Sequence, residues 1–219
     1  MPRKVFLGII FRGRIGQSMA DHVYINGNIF TQNPDMPHAS AVACENGEIV
    51  AVGAYEDVQP FITPETEVVD FRGKYVFPGF IEDEESYMDE DDLLDKGFTS
   101  VAYSEDGEIN SETSTRIRLL DAPCIHREEL KFGYCDMARD AIRQLTVVAA
   151  KGLGLEKLGS IAVGKLADFT VYEENPMQKN LRYFTNMHAE QVIVGGVMVY
   201  DAEEALMDEM YTMMTGMLL

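Results

Sequence analysis

Four turn dipeptides, each set between short apolar runs, constrain this chain more than any other feature. Val23-Tyr24-Ile25 and Ile29-Phe30-Thr31 flank Asn26-Gly27, Ala41–Glu45 and Glu48–Val52 flank Asn46-Gly47, and Val68–Phe71 and Lys74–Phe77 flank Arg72-Gly73. Far downstream, Val192–Val194 and Val197–Tyr200 flank Gly195-Gly196. Pairs of this kind tolerate the positive φ that tight hairpin turns demand. They predict a hairpin at each site and a β-sandwich or barrel-like unit over residues 20–81. Residues 155–201 return to β, with Ile161–Val163 and Phe169–Tyr172 as further strands. Neither block carries enough strands to close a core by itself. The expected fold class is therefore mainly β with α: a composite β-sandwich built from residues 20–81 plus 155–201, its strands shared in common sheets.

The intervening residues 82–154 have another character. Eight acids fall within the eleven residues Glu82–Asp92. Asp91–Lys96 reads as a short helix and Thr99–Tyr103 as a strand; residues 104–115 are polar and loop-like, and Thr115–Leu120 and Glu128–Phe132 give only weak patterns. Asp136 suits an N-cap for a helix reaching Lys151, with Ala138, Ala141, Ile142, Leu145, Val148 and Ala149 on one face and Gly152 closing it. Residues 202–219 form a methionine-rich tail in which Met207, Met210, Met214 and Met217 recur at helical spacing. Packing of this stripe on the chain's own sandwich is the expectation, and a homodimer through the tail is the other use such a stripe has.

The formal net charge is −19, and it is unevenly spread. Residues 1–18 carry Arg3, Lys4, Arg12 and Arg14 with no acid, so the remainder stands at −23 once those four cations are set apart. Such a field repels phosphate backbones, which excludes nucleic acid as a partner. Residues 1–19 read as an N-terminal extension with little fold content: the apolar run Val5–Phe11 is short, and Arg12 and Arg14 follow at once. No apolar run approaches the roughly 18 residues of a membrane span, so no membrane partner is expected. Cys44, Cys124 and Cys135 form no CxxC pair and read as free thiols, from which a cytoplasmic location is expected.

Two blocks resemble the ends of amidohydrolase-superfamily chains. The first runs through AVACENGEIVAVG and EVVDFRGKYVFPGFI, within residues 20–81; the second runs through AIRQLTVVAAKGLGLEKLGSIAVGKLADFTVYEENP and VIVGGVMVYD, within residues 141–201. The resemblance implies one β-sandwich built jointly by both ends, with a TIM-type barrel inserted between them, and metal-dependent hydrolysis of amides and related C–N bonds. A strand reading P-G-F-I-D-x-H-x-H leads from sandwich to barrel in that family, its two histidines binding the metal. Here Pro78-Gly79-Phe80-Ile81 match, but Glu82 stands at the aspartate position, and Glu84 and Ser86 stand at the two histidine positions. A complete barrel typically takes about 250 residues. Residues 82–154 hold only a small α/β insert in its place: LLDKGFTSV resembles the first barrel helix and second strand, and Ala138–Ala150 the last helix.

The remaining chemistry-bearing residues are sparse. His22, His38, His126 and His188 show no ligand spacing such as HxH or HxxxH, and surface or packing roles account for them. Carboxylates of the acidic run, Glu82, Asp83 and Glu85 with Glu84, are the only candidates for a hard cation, although they lack the glycine-containing spacing of an EF-hand. Asp168 in K-L-A-D-F reads as a strand-start residue. Ser104 and Ser160 lack a G-x-S-x-G context, and Gly152-Leu153-Gly154 follows a helix rather than a strand, so it is no dinucleotide fingerprint. The expectation is a chain that has lost metal-dependent hydrolysis, with no catalytic residue, no cofactor and an unidentified ligand. The alternatives are a residual C–N hydrolase completed by another subunit, and a sandwich that has acquired a small-molecule site.

Overall fold

The computed structural model describes residues 19–82, 88–103, 116–121 and 136–216. Thirteen strands follow in chain order: β1 His22–Ile25, β2 Asn28–Phe30, β3 His38–Ala39, β4 Ala41–Glu45, β5 Glu48–Gly53, β6 Glu67–Asp70, β7 Tyr75–Pro78, β8 Phe80–Glu82, β9 Phe98–Tyr103, β10 Arg118–Asp121, β11 Phe169–Tyr172, β12 Gln191–Val194 and β13 Val197–Asp201. They form a four-stranded sheet (β5-β4-β1-β6), a six-stranded sheet (β13-β12-β11-β7-β2-β3) and a three-stranded sheet (β10-β9-β8). In the six-stranded sheet β11 runs antiparallel to β7, with Phe169 opposite Pro78 and Tyr172 opposite Tyr75. N- and C-terminal blocks thus share one sheet, as the strand count requires.

One core joins the two larger sheets. Tyr24 and Ile49 from one sheet meet Ile29, Val76, Phe169, Val171 and Ile193 from the other, all buried. The Tyr24 ring stacks on Phe71 at 5.0 Å between centroids and meets Phe169 edge-on at 5.8 Å. Full burial of each large side chain contributes roughly 1.5–3 kcal/mol. The Tyr24 hydroxyl is not orphaned by its burial; it donates to Gly196 O at 3.0 Å.

Only two of the four turn dipeptides close hairpins. Asn46-Gly47 joins the antiparallel pair β4–β5 and Gly195-Gly196 joins β12–β13. Asn26-Gly27 and Arg72-Gly73 instead carry the chain from one sheet to the other. β1 pairs in parallel with β6, β2 in parallel with β7, and the two crossings lie side by side. Gly73 N donates to Asn26 O at 2.8 Å, Phe71 N to Ile25 O at 2.9 Å and Asn28 N to Lys74 O at 2.9 Å. Asn26, Arg72 and Gly73 do adopt positive φ, at 57°, 52° and 82°. The local conformation is the expected one; what differs is where the next strand finds its partner. Residues 161–163 are likewise not a strand, since Ile161 is buried in the inter-sheet core with its amide donating to Thr31 O at 2.8 Å.

Among the described residues the insert is an open parallel sheet clothed by helices, not a closed barrel. Helix Glu90–Asp95 is capped by Asp89, whose carboxylate accepts from Asp92 N, and it buries Leu93 and Leu94. Residues 138–152 form one helix, with α-helical ends and a π turn over Gln144–Val148. Its N-cap is Met137, not the expected Asp136, and no side chain caps it. Parallel sheets need cover on both faces, and this one has it. Phe80, Phe98 and Val101 pack with Leu93, Leu94, Ala141 and Ile142, while Ile81, Ala102 and Leu120 pack with Ala149, Ala150 and Leu158.

The tail is helical over Ala202–Gly216, its first amides held by Asp201 Oδ1, which accepts from Glu203 N at 3.0 Å. Packing of the methionine stripe on the chain's own sandwich is not observed: Met207 is 62% exposed and Met210 51%. The helix follows directly on β13, the outermost strand of its sheet. Met217 lies outside the described residues, as does the side chain of Met214. Among the described residues no helix is long and apolar enough to cross a membrane.

The Pro-Gly-Phe-Ile stretch has a steric explanation. A Cβ at Gly79 would stand 2.2 Å from Thr99 Oγ1 and 2.5 Å from its Cγ2, because β9 passes directly against the β7–β8 junction. Gly79→Ala should cost roughly 1–3 kcal/mol as overpacking, with the melting temperature falling about 2–4 °C per kcal/mol in a chain of this size. Combined with Thr99→Ala, which removes the two nearest atoms, the losses should be less than additive in thermal unfolding; strict additivity would place the strain elsewhere.

Candidate functional site

Three parallel strands bring their carboxyl ends to one side. Glu82 ends β8 opposite Val101, and Asp121 ends β10 opposite Tyr103, the last residue of β9. In parallel sheets with helical connections this is the side where ligands gather. The segments that leave it, residues 83–87, 104–115 and 122–135, lie outside the described residues. Of the candidate cation ligands only Glu82 is described, half-buried at the strand end. Asp83, Glu84, Glu85 and Ser86 fall outside, as do Cys124, His126 and Cys135. Among the described residues no three His, Cys, Asp or Glu side chains converge as metal ligands would.

The amino ends of the same strands face the sandwich, and here a buried carboxylate organises the junction. The Asp168 side chain is 1% exposed and accepts two parallel bonds from Arg118, Nε to Oδ2 at 3.1 Å and Nη2 to Oδ1 at 3.0 Å. Gly195 N donates to the same Oδ1 at 2.7 Å, and Gly79 N donates to Asp168 O at 2.8 Å. A bidentate guanidinium is the strong form of such a pair. Sequence reading placed Asp168 at a strand start, which is right, but did not find Arg118, fifty residues away and in a weakly patterned stretch. The available signal was an ionisable residue inside the otherwise buried run Ala167–Tyr172.

A second carboxylate fixes the entry to β10. Glu90 Oε1 accepts from Arg116 N at 2.9 Å and Ile117 N at 3.3 Å, and Oε2 from Arg116 Nε at 3.2 Å. Burial alone would raise the Glu90 carboxyl, but these amide and guanidinium donors outweigh it and hold the group below the ordinary glutamate range.

The described histidines occupy separate places. His22 Nε2 lies 3.5 Å from Glu67 Oε2, and the His38 ring meets Phe30 edge-on at 4.8 Å. His188 Nδ1 lies 2.6 Å from Asp95 Oδ2, while the Tyr200 hydroxyl donates to Asp95 Oδ1 at 3.3 Å. His188 also lines an open cleft of about 590 Å³ with Tyr172, Glu173, Arg182 and Tyr183. This pair ties helix Glu90–Asp95 to the chain ahead of β12, and among the described residues no hydroxyl or thiol nucleophile lies on the imidazole. Cys44 is buried between the sheets; burial first, then the Asp21 and Asp168 carboxylates, pushes its thiol up to about 12, which leaves it protonated and unreactive at neutral pH.

Residues 137–200 match the model of the Amidohydrolase family. The exoenzymes regulatory protein AepA of Pectobacterium carotovorum subsp. carotovorum is 45% identical over 65 residues, 30% of this chain and 14% of that protein. An N-substituted formamide deformylase of Arthrobacter pascens is 39% identical over 64 residues, 29% of this chain and 12% of that one. These matches therefore span well under a fifth of either relative. The atrazine chlorohydrolase TrzN of Arthrobacter aurescens TC1, solved with zinc, superposes with a TM-score of 0.58 at 10% identity, over 83% of this chain and 96% of that one. At that identity the likeness is one of fold.

Two substitutions test the junction. Arg118→Ala strips a buried carboxylate of its counterion, a change costing roughly 3–5 kcal/mol for a fully buried pair and less here, because Arg118 retains contact with water. Glu90→Gln should destabilise at neutral pH. A depressed carboxyl contributes stability that is present above its unfolded value and lost as pH falls through the folded one, so the gap between Glu90→Gln and the unmodified chain should close below about pH 4.3. Denaturant unfolding across pH measures both effects; a gap independent of pH would refute the electrostatic origin of the Glu90 contribution.

Proposed function

We propose that this chain, which has the fold of the amidohydrolase superfamily and that superfamily's C-terminal sequence block, serves as a structural or binding module and no longer carries out metal-dependent hydrolysis. The observation that carries this reading is the donor set where β8 leaves the sandwich. Glu82 is followed by Glu84 and Ser86 at the positions where the resemblance calls for two histidines. A hydrolytic zinc is held by several nitrogen, sulfur or carboxylate ligands in tetrahedral array, with one position open for water. Carboxylate and hydroxyl oxygens are harder donors, suited to other ions. Further ligands would have to come from later barrel strands, and the described parallel sheet has three strands in all. The residues present do not fit a catalytic zinc centre, and no reaction step is assigned through one.

The second reading, a residual hydrolase completed by another subunit, is favoured by one observation: the outer edge of β10 has no strand partner among the described residues. A strand from elsewhere could extend the sheet there and add ligands at its carboxyl end.

Zinc loading followed by dialysis and elemental analysis separates the readings. The module reading expects well below one zinc per chain and no hydrolysis of an N-substituted formamide, with Glu84→His/Ser86→His restoring neither. One zinc per chain retained through dialysis, with hydrolysis abolished by a chelator, would overturn it.

A further inference from the structure

The C-terminal helix Ala202–Gly216 leaves an apolar face open. Leu206, Met207, Met210 and Met213 are 51–63% exposed, the densest group of exposed large aliphatic and thioether side chains among the described residues. At 100° per residue they fall within an arc of roughly 120° on the helix. A contiguous apolar strip of this kind marks a surface that something covers. The segment is also strongly acidic in sequence: residues 202–219 contain Glu203, Glu204, Asp208 and Glu209 and no lysine or arginine.

We propose that the chain's own residues 1–18 dock on this face. Their chemistry is the complement of the helix: Arg3, Lys4, Arg12 and Arg14 with no acid, bracketing the apolar run Val5–Phe11. An apolar run between basic ends, laid against a methionine-rich strip on an acidic segment, is the pattern by which adaptable methionine surfaces take amphipathic segments. A second copy of the helix is the poorer occupant. Pairing two such helices would bring together two segments that each carry four acids and no cation, and like charges oppose association. Covalent linkage favours the docking further, since a tethered segment faces its site at an effective concentration of order millimolar. Eighteen residues extended reach up to about 60 Å, against a radius of gyration of roughly 17 Å for a compact chain of this length. The contact would not bear on catalysis, and it stands or falls independently of the module reading.

Methionine oxidation in the full chain tests this. Met36 and Met88, 39% and 38% exposed, serve as internal references. A face covered for most of the time should react about threefold or more slowly than an open one, so Met207 and Met210 should form sulfoxide more slowly than the references despite their greater exposure. Charge reversal at the N-terminus (R3E/K4E/R12E/R14E) should abolish that protection with helix content unchanged by circular dichroism and mass unchanged by light scattering; high salt should weaken it. Three results would overturn the proposal: no protection in the unmodified chain, protection that survives charge reversal, or protection that rises with protein concentration alongside a doubled mass. The last would assign the face to a second copy.

Discussion

The arrangement of sandwich and insert depends on one buried carboxylate. Asp168 directly precedes β11, and its main-chain oxygen takes the Gly79 amide where β7 passes into β8. Its side chain takes the Gly195 amide from the β12–β13 turn and the Arg118 guanidinium from the start of β10. Segments from both blocks and from the insert therefore meet on a single residue. A buried ion pair of this type is not in itself a large net stabiliser, because desolvation offsets most of the attraction. Its effect is orientational. Removing any one donor leaves charge unsatisfied in a low-dielectric place, so the parallel sheet is held with its amino ends on the sandwich and its carboxyl ends turned away.

That orientation follows from the parallel double crossing in the sandwich. β1 and β6 leave one sheet in the same direction, and β2 and β7 enter the other sheet as parallel partners. β7 then runs through Pro78 and Gly79 straight into β8, so the first strand of the insert continues the sandwich almost without interruption. The missing side chain at Gly79 is what allows β9 to approach that junction.

These features divide by range into what the sequence could and could not reveal. Positive φ at Asn26, Asn46, Arg72 and Gly73 is written into local chemistry and was legible; whether the following strand folds back or crosses to another sheet is a long-range choice, and the same dipeptides serve both. The sharing of a sheet by both blocks was legible because each block is too poor in strands to stand alone. The helix over residues 138–152 was legible from its apolar face, but its uncapped start at Met137 was not, since Asp136 is the better capping residue on local grounds. For the Arg118–Asp168 pair the sequence offered at most Asp168, ionisable within a buried run; nothing local pointed to Arg118 as its partner. The tail illustrates the opposite failure: methionine periodicity predicted burial, yet Met207 and Met210 are exposed on a helix that follows the outermost strand of its sheet. At the candidate site, Glu84 and Ser86 stand in the sequence where the resemblance calls for histidines, and Asp83, Glu84, Glu85 and Ser86 lie outside the described residues.

The helix over residues 138–152 explains how so short a parallel sheet is closed off. β8 is an outer strand, bonded only to β9 among the described strands. Successive residues of a strand point to opposite faces, and Phe80 and Ile81 do so here. Phe80 shares a core with Ala138, Ala141, Ile142 and Leu145 from the first half of the helix, whereas Ile81 shares the other core with Ala149 and Ala150 from its second half. The helix therefore passes along the outer side of β8 and serves both faces. Its π turn, Gln144–Val148, falls between those halves, where the extra residue per turn shifts the apolar face from one side of the strand to the other. Gly159 packs against this turn, since a Cβ there would stand 2.9 Å from Thr146 O and 2.6 Å from Ala150 Cβ. An exposed strand edge invites pairing with another chain, and covering it with a helix is one way proteins prevent that. With β8 covered in this manner, a further strand cannot join on that side without displacing the helix that fills both cores.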